Sequence, residues 1–472
     1  MTDIPSDFRN EIDRVFKLQL SLKHKLKRSG THNRIEKLQR IYNWTTKHKN
    51  EIEEAVYSDF KKPPLETDLS EIFTITSEIK HVKRKLKKWM KPKRVSPTFA
   101  MLTTRSKIKY EPKGVTLIIS PWNYPFMLAV EPLISSLAAG NSIILKPSEI
   151  SHNTSALIQK MINELFDESE VKVFQGDKEV SSYLLSKPFD HIFFTGSTKV
   201  GRIVMKAAAD NLSSVTLELG GKSPVIIDDS ADLDDAAGKI AWSKLFNAGQ
   251  SCQAPDYILI ENSIKDKFLF LLKNYLNDFC SQQNGGCQYF PSVINNLHFN
   301  RIKELTEDAI NSGAKLEFGG NLNPANNRIN PAILTGVPLN SRIMKEEIFG
   351  PVLPVISYNN LNEAIDVINS NGNPLAIYIF SKNQKAINNL LNSTVSGGVC
   401  INDLFIQFSH LNLPFGGIRE SGIGSAHGFY GFKAFSNERA ILKHHKFSPF
   451  KLFYPPYTEK KKKLAEFLIK YL

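Results

Sequence analysis

The stretch GVTLIISPWNYPFMLAVEPLISSLAAGNSIILKPSE, residues 114–149, decides the fold. Two short β-branched runs, VTLIIS (115–120) and SIILKP (142–147), flank a segment of helical length. That order predicts two parallel strands joined by a right-handed crossover. The alternation continues through VKVFQG (171–176), HIFFTG (191–196), VTLEL (215–219) and VIID (225–228). In such α/β sheets, ligands lie beyond the carboxyl ends of the strands. The first four runs end in polar or small residues there: Ser120-Pro121-Trp122-Asn123, Lys146-Pro147-Ser148-Glu149, Gln175-Gly176 and Thr195-Gly196-Ser197. A cofactor is expected at these ends.

Outward from this block, residues 7–90 carry apolar positions at helical spacing, as in Ile35, Leu38, Ile41 and Tyr42, with Pro63-Pro64 as a break. A second alternating block, about 224–400, holds YILIEN (257–262), PAILTG (331–336), PVLPVISY (351–358) and LAIYIFS (375–381). The 472 residues suggest two to four domains. The make-up, 42% hydrophobic and 23% charged, excludes a mostly disordered or collagen-like chain. The four cysteines show no CxxC pairing. Neither a disulfide framework nor a cysteine zinc site is expected, and a reducing, cytoplasmic setting is. No apolar run reaches the roughly 20 residues of a membrane span, and the charged N-terminus lacks the apolar core of a signal peptide. The net charge of +13 concentrates at 80–94 and at Lys460–Lys463. No nucleic-acid motif accompanies either cluster, so a solvated basic face or an acidic membrane surface is the better reading. His444-His445 stands apart from other metal-binding residues, and no metal is expected.

Several residues carry possible chemistry. Cys252 in NAGQSCQAP (247–255) is either a small buried hydrophobe or a nucleophile beside a compact turn. Glu218 in VTLELGGKSP (215–224) is an expensive carboxylate in an apolar strand, either a salt-bridge partner or a general base of raised pKa. Asn123, between two prolines in PWNYP, serves turn chemistry or donates to an oxyanion. Gly196 to Gly201 follows a strand and opens a helix, where free amides bind phosphate; an ordinary strand-to-helix turn reads the same way. Lys146 and Glu149 reach ribose hydroxyls or form a surface pair.

Together, PWNYP, KPSE, FTGSTKVG, ELGGKSP, GQSCQAP, EEIFGPVLP (346–354) and LPFGGIRESGIG (413–424) stand in the order found in the aldehyde dehydrogenase superfamily. Over roughly residues 60–440 the chain resembles that superfamily. Its WNYP, APDY and YPPY (454–457) wording is most similar to the class-3 branch of fatty and coniferyl aldehyde dehydrogenases. The resemblance implies Cys252 as nucleophile, Glu218 as general base and Asn123 as oxyanion donor with the Cys252 amide. It implies NAD, or NADP, held by Trp122, Lys146, Glu149, Gly196, Ser197, Gly201, Glu347 and Phe349. It implies an α/β fold with a variant Rossmann cofactor domain (1–90 and 112–219), a catalytic domain (220–400) and a small β oligomerisation element (91–111 and 401–440), in a homodimer. Arg419 departs from the glycine usual in that branch.

The implied reaction oxidises an aldehyde, apolar given the many aromatic residues, to the acid through a thiohemiacetal and a thioester. CoA-acylating chemistry and a non-catalytic relative are the alternatives; Glu218 speaks against the first, and intact Cys252, Glu218 and Asn123 against the second. In the basic tail (441–472), a helix from Thr458 would gather Leu464, Phe467, Leu468, Tyr471 and Leu472 on one face. That face would pack on the protein or lie on a membrane surface.

Overall fold

The computed structural model describes residues 4–98, 101, 103–281, 287–444 and 449–471. The N-terminal region is helical as expected: Ser6–Lys27, Thr31–Lys47, Lys49–Phe60 and Phe73–Met90. The break falls at the prolines, where Lys61 turns left-handed (φ 60°) and Pro64 opens a four-residue helix, Pro64–Thr67. A π-helical turn, Asp68–Ile72, leads into the next helix. That helix buries Ile75, Ile79, Val82 and Leu86, the three- and four-residue spacing of one face.

Five parallel strands form the first sheet, in spatial order Ser214–Leu219, His191–Gly196, Val115–Ile119, Ser142–Lys146 and Val171–Val173. An antiparallel strand, Gly422–Ile423, closes the end beside Ser214–Leu219. Strand Val115–Ile119 is central, with later strands added on both sides, so the order reverses next to it. A crevice opens there at the carboxyl ends. Val115–Ile119 and Ser142–Lys146 are buried at every position because helices cover both faces, which explains runs without alternation.

The second sheet has seven strands, in order Lys315–Gly319, Ala332–Thr335, Val352–Tyr358, Tyr257–Glu261, Pro224–Ile227, Ala376–Phe380 and Gly398–Ile401; only the first pair is antiparallel. A third, three-stranded antiparallel sheet joins Lys93–Val95, Thr104–Pro112 and Ser436–His444. The last of these pairs along its full length with Thr104–Pro112, so it runs into the segment read as tail.

Two further features differ from the sequence reading. Cys280 and Cys287 are joined by a disulfide, their Cα atoms 4.4 Å apart, where no disulfide was expected. The two cysteines are seven residues apart, a spacing that matches no familiar motif. The C-terminal helix, Glu459–Tyr471, forms as expected, but none of its described side chains is buried. Phe467 is 57% and Tyr471 61% exposed, so the expected apolar face is largely open.

Candidate active site

Cys252 stands at the end of a left-handed turn. Asn247, Ala248 and Gly249 have φ of 53°, 51° and 68°. Such a run is costly unless its surroundings hold it. The Asn247 amide donates to Glu66 Oε2 (2.9 Å), and its side-chain Nδ2 donates to the carbonyls of Asn123 and Gln250, both at 2.9 Å. Gln250 Nε2 donates to the carbonyls of Asn247 (3.2 Å) and Ser292 (3.1 Å), and its Oε1 accepts from the Ile294 amide (3.0 Å). Gly249 passes so close to Gly350 that a Cβ would sit 2.4 Å from the Gly350 carbonyl oxygen. This close approach brings the cysteine loop against the EEIFG segment.

Asn123 lies beyond the central strand of the first sheet and is buried. Its Nδ2 donates to the Gln250 carbonyl at 3.1 Å, which places the amide beside the cysteine loop. The Cys252 thiol is half-buried. Burial, followed by the nearby Glu347 and Glu218, pushes it well above the ordinary thiol range.

Glu218 is near the end of Ser214–Leu219, between Thr195 and Gly422 of the neighbouring strands. Among the described residues, neither carboxyl oxygen has a hydrogen-bond partner. Burial first, then Glu131, lifts this carboxyl well above its usual range. The salt-bridge alternative is not what the structure shows.

Glu347 and Phe349 face the same region. Burial, then Asp256, raises the Glu347 carboxyl to about 8, and the Gly221 amide partly offsets this. A Cβ on Gly220 would fall 2.0 Å from Glu347 Oε2, so only glycine leaves room for this carboxyl. The Phe349 and Trp122 rings meet edge to face at 5.4 Å.

The clamp on this segment was not foreseen in the sequence. Lys222 pairs with Asp256 in the interior and donates to the carbonyls of Ile343 (2.8 Å) and Glu346 (2.9 Å). Asp256 Oδ1 accepts from the Ile348 amide (2.9 Å). Arg301 donates to the carbonyls of Glu347 (3.0 Å) and Ile348 (2.5 Å). Lys222 and Asp256 lie inside the quoted GGKSP and APDY wording, so a buried ion pair was the signal available.

On the cofactor side, Lys146 is buried and its Nζ lies 2.5 Å from Glu149 Oε2. Glu149 keeps 46% of its side chain exposed, so the pair spans the floor and rim of the crevice. Ser197 caps the helix Thr198–Asp210, accepting from the Val200 amide. Gly201 packs against Leu219, where a Cβ would lie 2.6 Å from a methyl carbon. These features suit a dinucleotide: a helix N-terminus for phosphate, a lysine–carboxylate pair for a ribose, and the unpartnered Glu347 Oε1 for another ribose. Arg419 is elsewhere, exposed and left-handed (φ 56°) in the turn that leads to Gly422–Ile423. That φ explains why glycine suits the position.

The profile of the Aldehyde dehydrogenase family matches residues 1–441. The chain is 41% identical to rat aldehyde dehydrogenase family 3 member A2, over 92% of this chain and 90% of that protein. It is 40% identical to the 4,4'-diaponeurosporen-aldehyde dehydrogenase of Staphylococcus aureus, over 87% and 88% of the two chains. A substrate-bound structure of Staphylococcus aureus AldH superposes with a TM-score of 0.91 at 38% identity, covering 97% of this chain and 99% of that one. Staphylococcus aureus betaine aldehyde dehydrogenase in complex with NAD+ superposes with a TM-score of 0.81 at 27% identity, covering 96% and 89%. With this fold and this arrangement of cysteine, carboxylates and cofactor crevice, the chain belongs to the aldehyde dehydrogenase family and is an NAD(P)-dependent oxidoreductase acting on aldehydes.

Proposed function

We propose that Cys252, Asn123 and Glu218 carry the oxidation of an apolar aldehyde to its carboxylic acid. The observation behind this reading is the Asn123 amide poised beside the Cys252 loop, with Glu218 left free of any bonding partner. The Cys252 sulfur attacks the aldehyde carbon as its thiolate. Asn123 Nδ2 and the Cys252 amide receive the oxyanion, and such a donor contributes about 3–4 kcal/mol. NAD(P) in the crevice supplies the hydride acceptor. Water then attacks the thioester carbon while Glu218 takes its proton, and the acid leaves as the C–S bond breaks. A free general base suits water as the acyl acceptor, which argues against CoA in that role.

Aromatic residues support an apolar substrate. Tyr124 is buried next to Asn123, and Trp242, Phe246 and Phe405 form one cluster with ring centres 5.0–6.1 Å apart. The Staphylococcus aureus relative is named for a diaponeurosporen aldehyde. NAD should be preferred to NADP, because the exposed Glu149 carboxylate opposes a 2′-phosphate. The three-stranded sheet and the open strand Gly398–Ile401 support an oligomerisation element and a homodimer built by strand addition. No described helix is long and apolar enough to cross a membrane. Lys460–Lys463 and the exposed side chains of Glu459–Tyr471 support peripheral contact of a cytoplasmic enzyme with an acidic membrane surface.

Cys252→Ser tests the nucleophile. The variant should bind NAD as before and lose NADH production from aldehyde. Turnover at the wild-type rate would overturn the assignment.

A further inference from the structure

The chain around the proline break reaches both loops of the site, and the reaction above does not use it. Lys62 and Glu71 are each 0% exposed, and Lys62 Nζ lies 2.9 Å from Glu71 Oε1. Lys62 directly precedes Pro63-Pro64, and Glu71 belongs to the π-helical turn Asp68–Ile72. Such turns often mark functional sites. A buried ion pair adds little stability by itself, because a neutral pair of similar volume often folds as well. Its value lies in what it holds.

This pair grips the Asn123 loop twice. The helix Met127–Ala139 has no side-chain cap of its own, so its first amides need an acceptor from elsewhere. Glu71 Oε2 supplies it, accepting from the amides of Phe126 (2.8 Å) and Met127 (3.2 Å). The helix dipole also favours a carboxylate there. Phe126 is three residues beyond Asn123, and Pro125 stiffens the link. Lys62 Nζ in turn sits over the Tyr124 ring, 4.2 Å from its centre. The Tyr124 hydroxyl meets the Ser251 side chain, next to Cys252. The same segment also reaches the cysteine loop. Glu66 accepts from the Asn247 amide, at the start of the left-handed turn. The Phe60 carbonyl accepts from the Ser292 amide (2.8 Å), and the Ser292 carbonyl accepts from Gln250 Nε2 (3.1 Å). Residues 60–71 therefore tie the two loops together where Asn123 Nδ2 meets the Gln250 carbonyl.

We propose that Lys62 and Glu71 are positioning residues for the oxyanion site, holding the Asn123 loop in register with Cys252. This rests on the oxyanion role given to Asn123 above. Neither residue makes or breaks a bond in the reaction. Both act through residues 124–127: Glu71 by fixing the helix start that follows Asn123, Lys62 by holding Glu71 and the Tyr124 ring. A reacting geometry displaced by about 1 Å can slow its step by about 10²-fold.

The test removes both charges at once, Lys62→Met with Glu71→Gln, because a single change would leave a lone charge inside. Single-turnover NADH formation at saturating NAD and aldehyde, per folded enzyme, should slow by about 10–10²-fold. The KM for NAD and the denaturant midpoint should stay close to wild type. In an Asn123→Ala background the same double change should slow the step little further, since both act through one interaction. Lys62→Arg keeps the cation and should retain most of the rate. If Asn123→Ala acylates normally, the reading of Asn123 is wrong. If Asn123→Ala is slow and the pair variant acylates at the wild-type rate, the positioning role alone is wrong. Effects that multiply in full across the two backgrounds would assign the pair to structure and also overturn the proposal. If the pair variant does not fold, Glu71→Gln alone, which keeps an acceptor for one amide, is judged by the same rates.

Discussion

Two buried charge clusters flank Cys252, and they follow opposite rules. On the side of the EEIFG segment, Lys222 faces Asp256, and both bond the backbone of residues 343–348, which Arg301 also holds. On the side of Glu218, the carboxyls of Glu218, Glu131 and Glu78 are all buried, with no cation bonded to them among the described residues. Paired charges satisfied by carbonyls and amides are directional, so they hold a backbone in place. Unpaired like charges constrain protons instead, because ionising one opposes ionising the next. The first cluster holds the backbone that carries Glu347 and Phe349; in the second, burial and then Glu131 raise the Glu218 carboxyl.

The largest expected effect tests the paired side. Lys222→Met leaves Asp256 buried without its cation, which should cost about 3–5 kcal/mol of stability. Denaturant unfolding should show that loss, together with a raised KM for NAD as residues 343–349 loosen. Glu131→Gln removes a like charge and should leave stability equal or higher. If Lys222→Met unfolds at the wild-type midpoint, the contrast between the clusters fails.

The next test concerns the hydrogen-bonded loop that joins the clusters. Asn123→Ala should slow acylation by about 10²–10³, or roughly 3–4 kcal/mol, in single-turnover NADH formation. A change confined to KM would mean that Asn123 binds substrate and does not stabilise the oxyanion.

The smallest effect is on the pH dependence of stability. Burial raises Glu66 and Glu78 to about 7 and, helped by Asp256, Glu347 to about 8. A carboxyl raised in the folded state binds its proton more tightly there than when unfolded. Its contribution is fully present below about 4.5, the unfolded value, and is lost as pH rises through 7 to 8. Glu111 and Glu317, lowered to about 2 by lysine partners, act with the opposite sign, and only as pH falls below about 4.5. Buried His298 and His427, lowered to about 4, add stability as pH rises to about 6.5. The decline measured by denaturant should therefore show from about pH 6.5 to 8, and Glu78→Gln should flatten part of it. An unchanged slope in Glu78→Gln would show that Glu78 ionises without penalty.

Much of the site could be read from the chain because its chemistry is local. Cys252 sits in its own turn, Asn123 between its own prolines, and Glu218 in a strand too apolar to hold an idle carboxylate. The clamp could not be read so, because Lys222 and Asp256 are 34 residues apart and meet only across neighbouring strands. The buried carboxyls were hidden for the same reason. Glu78 and Glu131 look like ordinary polar positions on two helices until the residues 427–428 turn donates an amide to each. The exposed tail helix shows the limit from the other side: its amphipathic spacing was clear, but whether its apolar face meets the body depends on where the chain leaves the third sheet.

The sequence by itself determined the α/β class, the order of the strands along the chain and the residue types of the reaction. Those follow from burial periodicity, turn chemistry and motif wording, all set within a few residues. Only the tertiary structure decided which charges are paired, that Cys280 meets Cys287, and that Arg419 occupies a glycine's conformation. A charge's energy depends on what lies within a few ångströms of it in space, and distance along the chain does not carry that information.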